Sequence, residues 1–344
     1  MILKLVSDDK IPYVSDFFGK YADIVFLPGE KITQHDLLHA DILLTRTVTE
    51  INAALLTDTA VQFVGTATTG VDHIDQSYLA SHHIHFAHAA GANAEAVAQY
   101  VLSCLANLKQ HNKLSHHRTI GIIGCGRIGY RVATLCENIG LQVVCYDPFI
   151  NDQSRFVFTS LEMLLKTADI ISLHTPLTRA GSHPTFHMIN ANVISNIKDD
   201  AILINTARGA VIDETALLQA KNITLCFDVW ENEPAISLAT VDRTTIATPH
   251  IAGYSTQAKY RATEMVFKQA ADFFGWSNHS RKSSTMNLSP FEITTEWERK
   301  ILDAYDPLLH TIAFKNAIER VRLNKEIENV FMRERKAYVF KEEV

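Results

Sequence analysis

Short apolar runs alternate with helix-like segments along most of the chain. In the first part they predict strands at residues 2–6, 24–26, 42–44, 63–64 and 83–86, with helices at residues 51–56 and 77–80 among the segments between them. Strands that alternate with helices favour a parallel sheet, so this portion is predicted to form one α/β unit. Residues 92–109 contain neither glycine nor proline and are amphipathic. They predict a long helix that leads into a second unit.

A glycine-rich turn joins the first strand of this second unit to a helix. Residues 124–129 have the spacing G-x-G-x-x-G and directly follow the apolar run 119–123. Such glycines allow a tight turn, close approach of a pyrophosphate and close helix packing, with the phosphates at the positive end of the helix. Asp147 ends the next apolar run, where its carboxylate can accept hydrogen bonds from the adenosine ribose. The pattern predicts an NAD site, and Arg155 is the nearby cation that would suit NADP instead.

Polar residues follow the remaining strands of the second unit. Its apolar runs predict strands at residues 119–123, 141–147, 170–173, 201–204, 225–229 and 245–247. The polar clusters at their ends are His174–Pro176, Asn205–Gly209, Asp228 and Thr248–His250. In open α/β sheets, ligands bind outside the carboxyl ends of the strands. The four clusters are therefore predicted to converge on the same crevice as Asp147.

Composition restricts the class of protein. The chain has 344 residues, 47% of them hydrophobic, a net charge of −6 and a pI near 6.2. This length allows two or three domains, and the charge argues against a nucleic-acid-binding surface. No apolar stretch reaches the roughly 18 residues that a membrane span needs, and the N-terminus lacks the basic flank and apolar core of a secretory signal. We therefore expect a cytoplasmic protein with neither membrane nor nucleic-acid partners.

Cysteines and histidines do not form a metal-binding pattern. The cysteines contain no C-x-x-C pair and are predicted to be buried free thiols: Cys104, Cys125, Cys136, Cys145 and Cys226. The histidines include a crowded segment, residues 82–88, and a pair at positions 116 and 117. No cysteine or carboxylate accompanies them at the spacing of a known metal motif. Surface histidines and no metal site are expected.

Four ordered motifs resemble the D-isomer-specific 2-hydroxyacid dehydrogenase family. They are Gly124–Gly129, Asn205–Asp213, Asp228–Pro234 and Thr248–Gly253. The resemblance implies an α/β fold of two doubly wound parallel-sheet domains, one Rossmann-type and one flavodoxin-like, with a small C-terminal α/β extension. The implied domains are a substrate-binding domain of residues 1–90 and 255–280, an NAD-binding domain of residues 91–254 and an extension of residues 285–344.

A narrower resemblance concerns the substrate. Residues 65–73, 228–231 and 250–254 resemble the branch of the family that oxidises 4-phospho-D-erythronate in pyridoxal 5′-phosphate biosynthesis. It implies NAD-dependent hydride transfer that gives 2-oxo-3-hydroxy-4-phosphobutanoate. Dehydrogenation of 3-phosphoglycerate, glycerate or lactate, and a non-enzymatic NAD-sensing role, are the alternatives. The predicted cofactor-binding residues are Gly124, Gly126, Arg127, Ile128, Gly129, Asp147, Thr175, Thr206, Ala207, Asp228 and Gly253.

Three side chains at strand ends suit the oxidation of a 2-hydroxy acid. His250 is the predicted base for the hydroxyl proton, because an imidazole exchanges a proton near neutral pH. Glu233 would hold the other ring nitrogen, and the planar guanidinium of Arg208 would bind the carboxylate and polarise the forming carbonyl. Three alternatives stay open: Glu231 could replace Glu233, Arg208 could pair with an acid such as Asp213, and His250 could cap a loop.

Polar loops of the first unit are candidates for substrate recognition. Arg46 and Thr47 follow one predicted strand, and Thr68 follows another. By the family resemblance, Thr47, Thr68 and Tyr254 match substrate-contacting positions. The alternative for the two threonines is turn chemistry, in which their hydroxyls bond the nearby backbone.

The chain changes character after the dehydrogenase motifs. Residues 279–285 predict a polar linker, and Ile301, Tyr305, Leu308 and Ile312 predict one face of a helix. The resemblance implies that this segment corresponds to a C-terminal dimerisation domain, here shortened. A homodimer is therefore expected.

Overall fold

The structure is a computed structural model that describes residues 2–114, 118–150, 155–220, 222–276, 296–322 and 326–343. The predicted linker and the histidine pair at positions 116 and 117 lie outside the described residues. The chain divides into two compact units, the first Met1–Asn93 with Ser255–Leu288 and the second Ala94–Tyr254 with Ser289–Val344. Within the described ranges, no helix is both long enough and apolar enough to cross a lipid bilayer.

The first unit is built on a five-stranded parallel sheet. Its elements are β1 (Leu3–Asp8), α1 (Val14–Phe18), β2 (Ala22–Leu27), α2 (Gln34–Leu37), β3 (Ile42–Thr45), α3 (Ala53–Leu56), β4 (Phe63–Thr66), α4 (Gln76–Ser81) and β5 (His85–His88). The strand order β2-β1-β3-β4-β5 is the flavodoxin-like order that was predicted. Strand β5 begins at His85 and not at residue 83, because His83 takes a left-handed conformation (φ 57°) in the preceding turn.

The second unit contains a seven-stranded parallel sheet. Its elements are α5 (Ala94–Gln110), β6 (Thr119–Ile123), α6 (Arg127–Asn138), β7 (Gln142–Tyr146), β8 (Val157–Phe158), α7 (Leu161–Thr167), β9 (Ile170–Leu173), α8 (Ala191–Ile194), β10 (Ile202–Asn205), α9 (Glu214–Gln219), β11 (Thr224–Phe227), α10 (Leu238–Arg243) and β12 (Ile246–Ala247). The strand order is β12-β11-β10-β9-β6-β7-β8. The direction of winding reverses between β6 and β9, which confirms the predicted Rossmann-type, doubly wound fold.

Side-chain caps explain where many of the short helices begin. A polar side chain before the first helical residue accepts a backbone N–H that has no partner inside the helix, and such a cap contributes about 1 kcal/mol. The caps of this kind include Asn52 of α3, Asp75 of α4, Ser160 of α7, Asn190 of α8, Asp213 of α9 and Ser237 of α10.

Two long helices belong to different units. Helix α5, predicted from residues 92–109, is buried from Ala96 to Leu108 and packs against α6 in the second unit. Helix α11 (Thr256–Phe274) returns the chain to the first unit, where it packs against α1, β4 and β5. Ser255 caps its start, and Gly275 ends it in a left-handed conformation (φ 66°).

Three helices account for most of the described C-terminal residues, where a helix-and-strand extension was expected. They are α12 (Trp297–Ala304), α13 (Pro307–Val321) and α14 (Ile327–Ala337). The prediction of one helical face through Ile301 and Ile312, by way of Tyr305 and Leu308, is wrong. Asp306 caps α13 and Pro307 occupies its first turn, so α12 has already ended at Tyr305. Ile312 is 50% exposed.

Candidate active site

The glycine turn between β6 and α6 leaves space in front of the helix. Gly124 has a left-handed backbone (φ 87°), which favours glycine. A Cβ on Gly129 would lie 2.0 Å from the carbonyl oxygen of Gly124, so α6 approaches the turn too closely for a larger residue. Gly126 is the N-cap of α6, and a Cβ there would meet no described atom within 4 Å beyond its own turn. This open N-terminus is where phosphate groups are favoured.

Asp147 lies beside the glycine turn. Its Oδ2 accepts a hydrogen bond from the Cys125 N–H at 2.9 Å, and its Oδ1 accepts one from the Phe149 N–H at 3.0 Å. The carboxylate is thus held next to the predicted pyrophosphate position. Arg155 forms an ion pair with Glu137 at 3.1 Å. Arg155, the cation that would suit NADP, is therefore paired with an acid of α6.

The ends of β9 and β10 add further predicted cofactor residues at the same sheet edge. The hydroxyl of Thr175 is buried and has no hydrogen-bond partner among the described residues. Thr206 Oγ1 lies 3.4 Å from His174 Nδ1, and the N–H of Ala207 donates to Asn205 at 3.0 Å. An unpartnered buried hydroxyl beside an open helix N-terminus fits a bound dinucleotide.

His250 and Glu233 form a hydrogen-bonded pair. His250 Nδ1 contacts Glu233 Oε1. Glu231, the alternative partner, contacts His187 instead, with 2.6 Å between Oε1 and Nε2. Burial alone would raise the pKa of Glu233, but the charge of His250 and the hydrogen bond to it lower that pKa overall. The Glu233 carboxylate is therefore ionised where it meets the imidazole.

The backbone of His250 is left-handed (φ 58°), a conformation that costs a non-glycine residue about 1–2 kcal/mol. Asp228 holds it there. The Asp228 carbonyl accepts the His250 N–H at 2.7 Å, and its carboxylate accepts the N–H groups of Ile251 at 2.7 Å and Ala252 at 2.9 Å. Asp228, predicted as a cofactor-binding residue, thus also fixes the loop that carries the candidate base.

Arg208 lies directly before the 3₁₀ turn Gly209–Val211. A Cβ on Gly209 would lie 1.8 Å from the backbone carbon of Trp230, so only glycine allows this turn to touch the segment that leads to Glu233. The Arg208 carbonyl accepts a hydrogen bond from the Asn205 side chain at 3.0 Å. Asp213, the acid suggested as an alternative partner for Arg208, caps α9.

The three predicted substrate-binding residues of the first unit differ from one another in their contacts. Arg46 Nη2 lies 2.9 Å from both carboxylate oxygens of Asp8, whose side chain is 0% exposed. The Thr68 hydroxyl donates to the Gly70 carbonyl at 2.8 Å, which is the turn chemistry considered as the alternative. The side chain of Thr47 is exposed.

Two basic residues near the C-terminus contact the loop after His250, and sequence reasoning missed both. Arg335 Nε donates to the Tyr254 hydroxyl at 3.1 Å. Lys341 Nζ donates to the Ala252 carbonyl at 3.0 Å, and burial lowers the pKa of Lys341 to about 8. No sequence signal identified them, because they are separated from this loop by more than 80 residues.

The described residues contain no group of three His, Cys, Asp or Glu side chains that could hold a metal ion. The five cysteines are buried free thiols, as predicted.

Comparison with known proteins identifies the class of enzyme to which the chain is similar. Residues 85–252 match the family model described as D-isomer specific 2-hydroxyacid dehydrogenase, NAD binding domain. Among solved structures, the D-lactate dehydrogenase of Aquifex aeolicus, complexed with NAD and lactic acid, superposes with a TM-score of 0.64 at 28% identity, over 79% of this chain and 95% of that one. The predicted NAD cofactor and the dehydrogenase class are confirmed.

Two curated relatives narrow the assignment within this family. The chain is 45% identical to the erythronate-4-phosphate dehydrogenase of Coxiella burnetii, over 83% of this chain and 79% of the relative. It is 38% identical to the protein of the same name from Salinibacter ruber, over 92% of this chain and 86% of the relative. The chain therefore belongs to the D-isomer specific 2-hydroxyacid dehydrogenase family, on the branch of the erythronate-4-phosphate dehydrogenases.

A methyl group at Gly126 should block the cofactor without disturbing the fold. Gly126→Ala would project a Cβ into the open space before α6, so we expect the dissociation constant of NAD to rise about tenfold, or about 1.4 kcal/mol. NADH fluorescence titration measures the affinity, and the melting temperature should stay at the wild-type value. Gly129→Ala is the contrasting variant, since its Cβ meets backbone at 2.0 Å and should lower the melting temperature. Unchanged NAD affinity in Gly126→Ala would place the pyrophosphate elsewhere.

Replacing Glu233 should affect catalysis more than replacing Glu231. Glu233→Gln keeps the shape but removes the charge that favours a protonated His250, so we expect kcat for oxidation to fall about a hundredfold. Glu231→Gln is the matched control, because Glu231 contacts His187 and not His250. This substitution should change kcat by less than about threefold. A larger loss in Glu231→Gln would exchange the two roles.

Proposed function

We propose that this protein oxidises 4-phospho-D-erythronate to 2-oxo-3-hydroxy-4-phosphobutanoate, with NAD as the cofactor, in pyridoxal 5′-phosphate biosynthesis. The observation that carries the proposal is the His250–Glu233 pair, in a chain 45% identical to a protein named for this substrate. The first unit would be the substrate-binding domain, and residues 91–254 the NAD-binding domain.

Each polar group of the site then has a defined task. His250, whose Nδ1 is held by Glu233, presents Nε2 to the C2 hydroxyl and takes its proton. The ionised Glu233 stabilises the imidazolium that results. The guanidinium of Arg208 binds the substrate carboxylate and polarises the carbonyl that forms at C2.

NAD, when bound, supplies the acceptor for the hydride that leaves C2. The backbone N–H groups at the start of α6, the Asp147 carboxylate and the Thr175 hydroxyl are the groups of this chain that would hold it. The NAD-sensing alternative is disfavoured, because binding alone does not require a paired imidazole and carboxylate. Other D-2-hydroxy acids stay as competing substrates.

A substrate panel tests the proposal. NADH formation would be followed by absorbance with 4-phospho-D-erythronate, D-erythronate, 3-phospho-D-glycerate, D-glycerate and D-lactate. Because each charge-assisted hydrogen bond contributes roughly 1.5–3 kcal/mol, we expect kcat/KM for the phosphorylated erythronate to exceed that for D-erythronate about tenfold or more. Arg208→Gln should impair the whole panel, since every member carries the carboxylate. Equal or better turnover of lactate or glycerate would contradict the assigned substrate.

We also propose that the protein is a cytoplasmic homodimer. Exposed apolar side chains on the C-terminal helices support self-association: Leu309 is 66% and Ile312 50% exposed on α13, and Met332 is 47% exposed on α14. The buried free thiols are typical of a reducing compartment.

Charges on α13 should dissociate this dimer. Leu309→Lys combined with Ile312→Lys places two cations on one exposed helical face, so we expect the mass by light scattering to fall from dimer to monomer, with the melting temperature nearly retained. Val157→Lys is the matched control, because Val157 is also 66% exposed but lies on β8. A monomeric wild type, or a dimer that survives the double change, would contradict the proposed interface.

A further inference from the structure

The last turn of α14 places a guanidinium against Tyr254. Phe331 of α14 is buried, and its ring centroid lies 6.0 Å from that of Phe314 on α13, which anchors the helix in the second unit. Arg335 follows one turn later. Its Nε donates to the Tyr254 hydroxyl at 3.1 Å, and its guanidinium carbon lies 5.8 Å from the Tyr254 ring centroid.

Arg335 acts electrostatically on the catalytic pair. Its positive charge contributes to lowering the pKa of Glu233, after the larger contribution of His250. The guanidinium therefore lies in the same electrostatic environment as the candidate base, although its hydrogen bond goes to the hydroxyl of Tyr254. Tyr254 is one of the predicted substrate-contacting residues.

The substrate of the proposed function carries a carboxylate and a phosphate, and a guanidinium binds either group through paired hydrogen bonds. Arg208 is assigned to the carboxylate. Arg46 Nη2 lies 2.9 Å from the buried Asp8 carboxylate, so that carboxylate already offsets the charge of Arg46. Over the described ranges, no carboxylate lies within ion-pair distance of Arg335, whose guanidinium contacts the hydroxyl and the ring of Tyr254.

We propose that Arg335 and Tyr254 form a binding site for the phosphate group of the substrate, an inference that rests on the proposed function. A guanidinium presents parallel N–H donors that match two phosphate oxygens, and the Tyr254 hydroxyl adds a third donor. The two anionic ends of the substrate then have separate cations. Arg335 determines specificity for a phosphorylated acid and takes no part in proton transfer.

A binding experiment tests phosphate recognition by Arg335 without requiring the enzyme to turn over substrate. The NADH-loaded enzyme would be titrated calorimetrically with 4-phospho-D-erythronate and with D-erythronate. In Arg335→Gln we expect the dissociation constant of the phosphorylated ligand to rise about tenfold or more, while that of D-erythronate changes less than about twofold. Lys336→Gln is the matched control, since Lys336 is an exposed cation next in the same helix, and it should change neither value.

Equal weakening of both ligands in Arg335→Gln would overturn the proposal, because Arg335 would then only position Tyr254. An unchanged preference for the phosphorylated ligand would overturn it as well. If Arg335→Gln unfolds, Arg335→Lys gives the same comparison, since an ammonium keeps the charge but loses the paired donors and should reduce the preference partly.

A wild type that binds the phosphorylated acid more tightly but does not oxidise it would disprove the proposed function and leave this site intact. Equal binding of both acids by the wild type would disprove the site.

Discussion

The buried carboxylate of Asp228 is the constraint on which the geometry of the candidate site depends. An ionised carboxylate away from water costs several kcal/mol unless donors surround it. Here the Thr248 hydroxyl at 2.6 Å joins the N–H groups of Ile251 and Ala252 around it. Burial raises the pKa of Asp228, and the charge of His250 and these hydrogen bonds oppose that rise. The same contacts that satisfy the carboxylate hold His250 in a backbone conformation it would not otherwise prefer.

Other elements of the second unit hold the same loop. Tyr100 on α5 shares a hydrogen bond of 2.6 Å with Thr248, and Lys341 donates to the Ala252 carbonyl. The Lys341 ammonium also lies 4.5 Å from the centroid of the Tyr305 ring, a favourable place for a buried cation. The loop is thus fixed by a strand end, a buried helix and the C-terminal segment. The backbone that carries the imidazole of the candidate base is therefore held in one position.

Much of the fold and of the cofactor site could be predicted from the sequence. Parallel strands bring their carboxyl ends to one edge, so polar residues far apart in the chain converge without further information. Element boundaries were harder to predict than the elements themselves. The left-handed turn at His83 delays the start of β5. Pro307, which has no backbone N–H, begins α13 where one continuous helix was predicted. Coordinates were needed to see which histidine each of Glu231 and Glu233 contacts: Asn232 between them is left-handed (φ 60°), and the two carboxylates meet different histidines.

The substrate site was harder to predict for a physical reason. A dinucleotide is held largely by backbone groups, and the glycines that expose them are neighbours in sequence. Recognition of a small anion depends on whether a particular cation is already compensated, and its compensating group can lie anywhere in the chain. Asp8 is 38 residues from Arg46, and Arg335 is 81 residues from Tyr254. The sequence therefore indicated Arg46, which the structure pairs with Asp8, and gave no signal for Arg335, which contacts the hydroxyl and the ring of Tyr254.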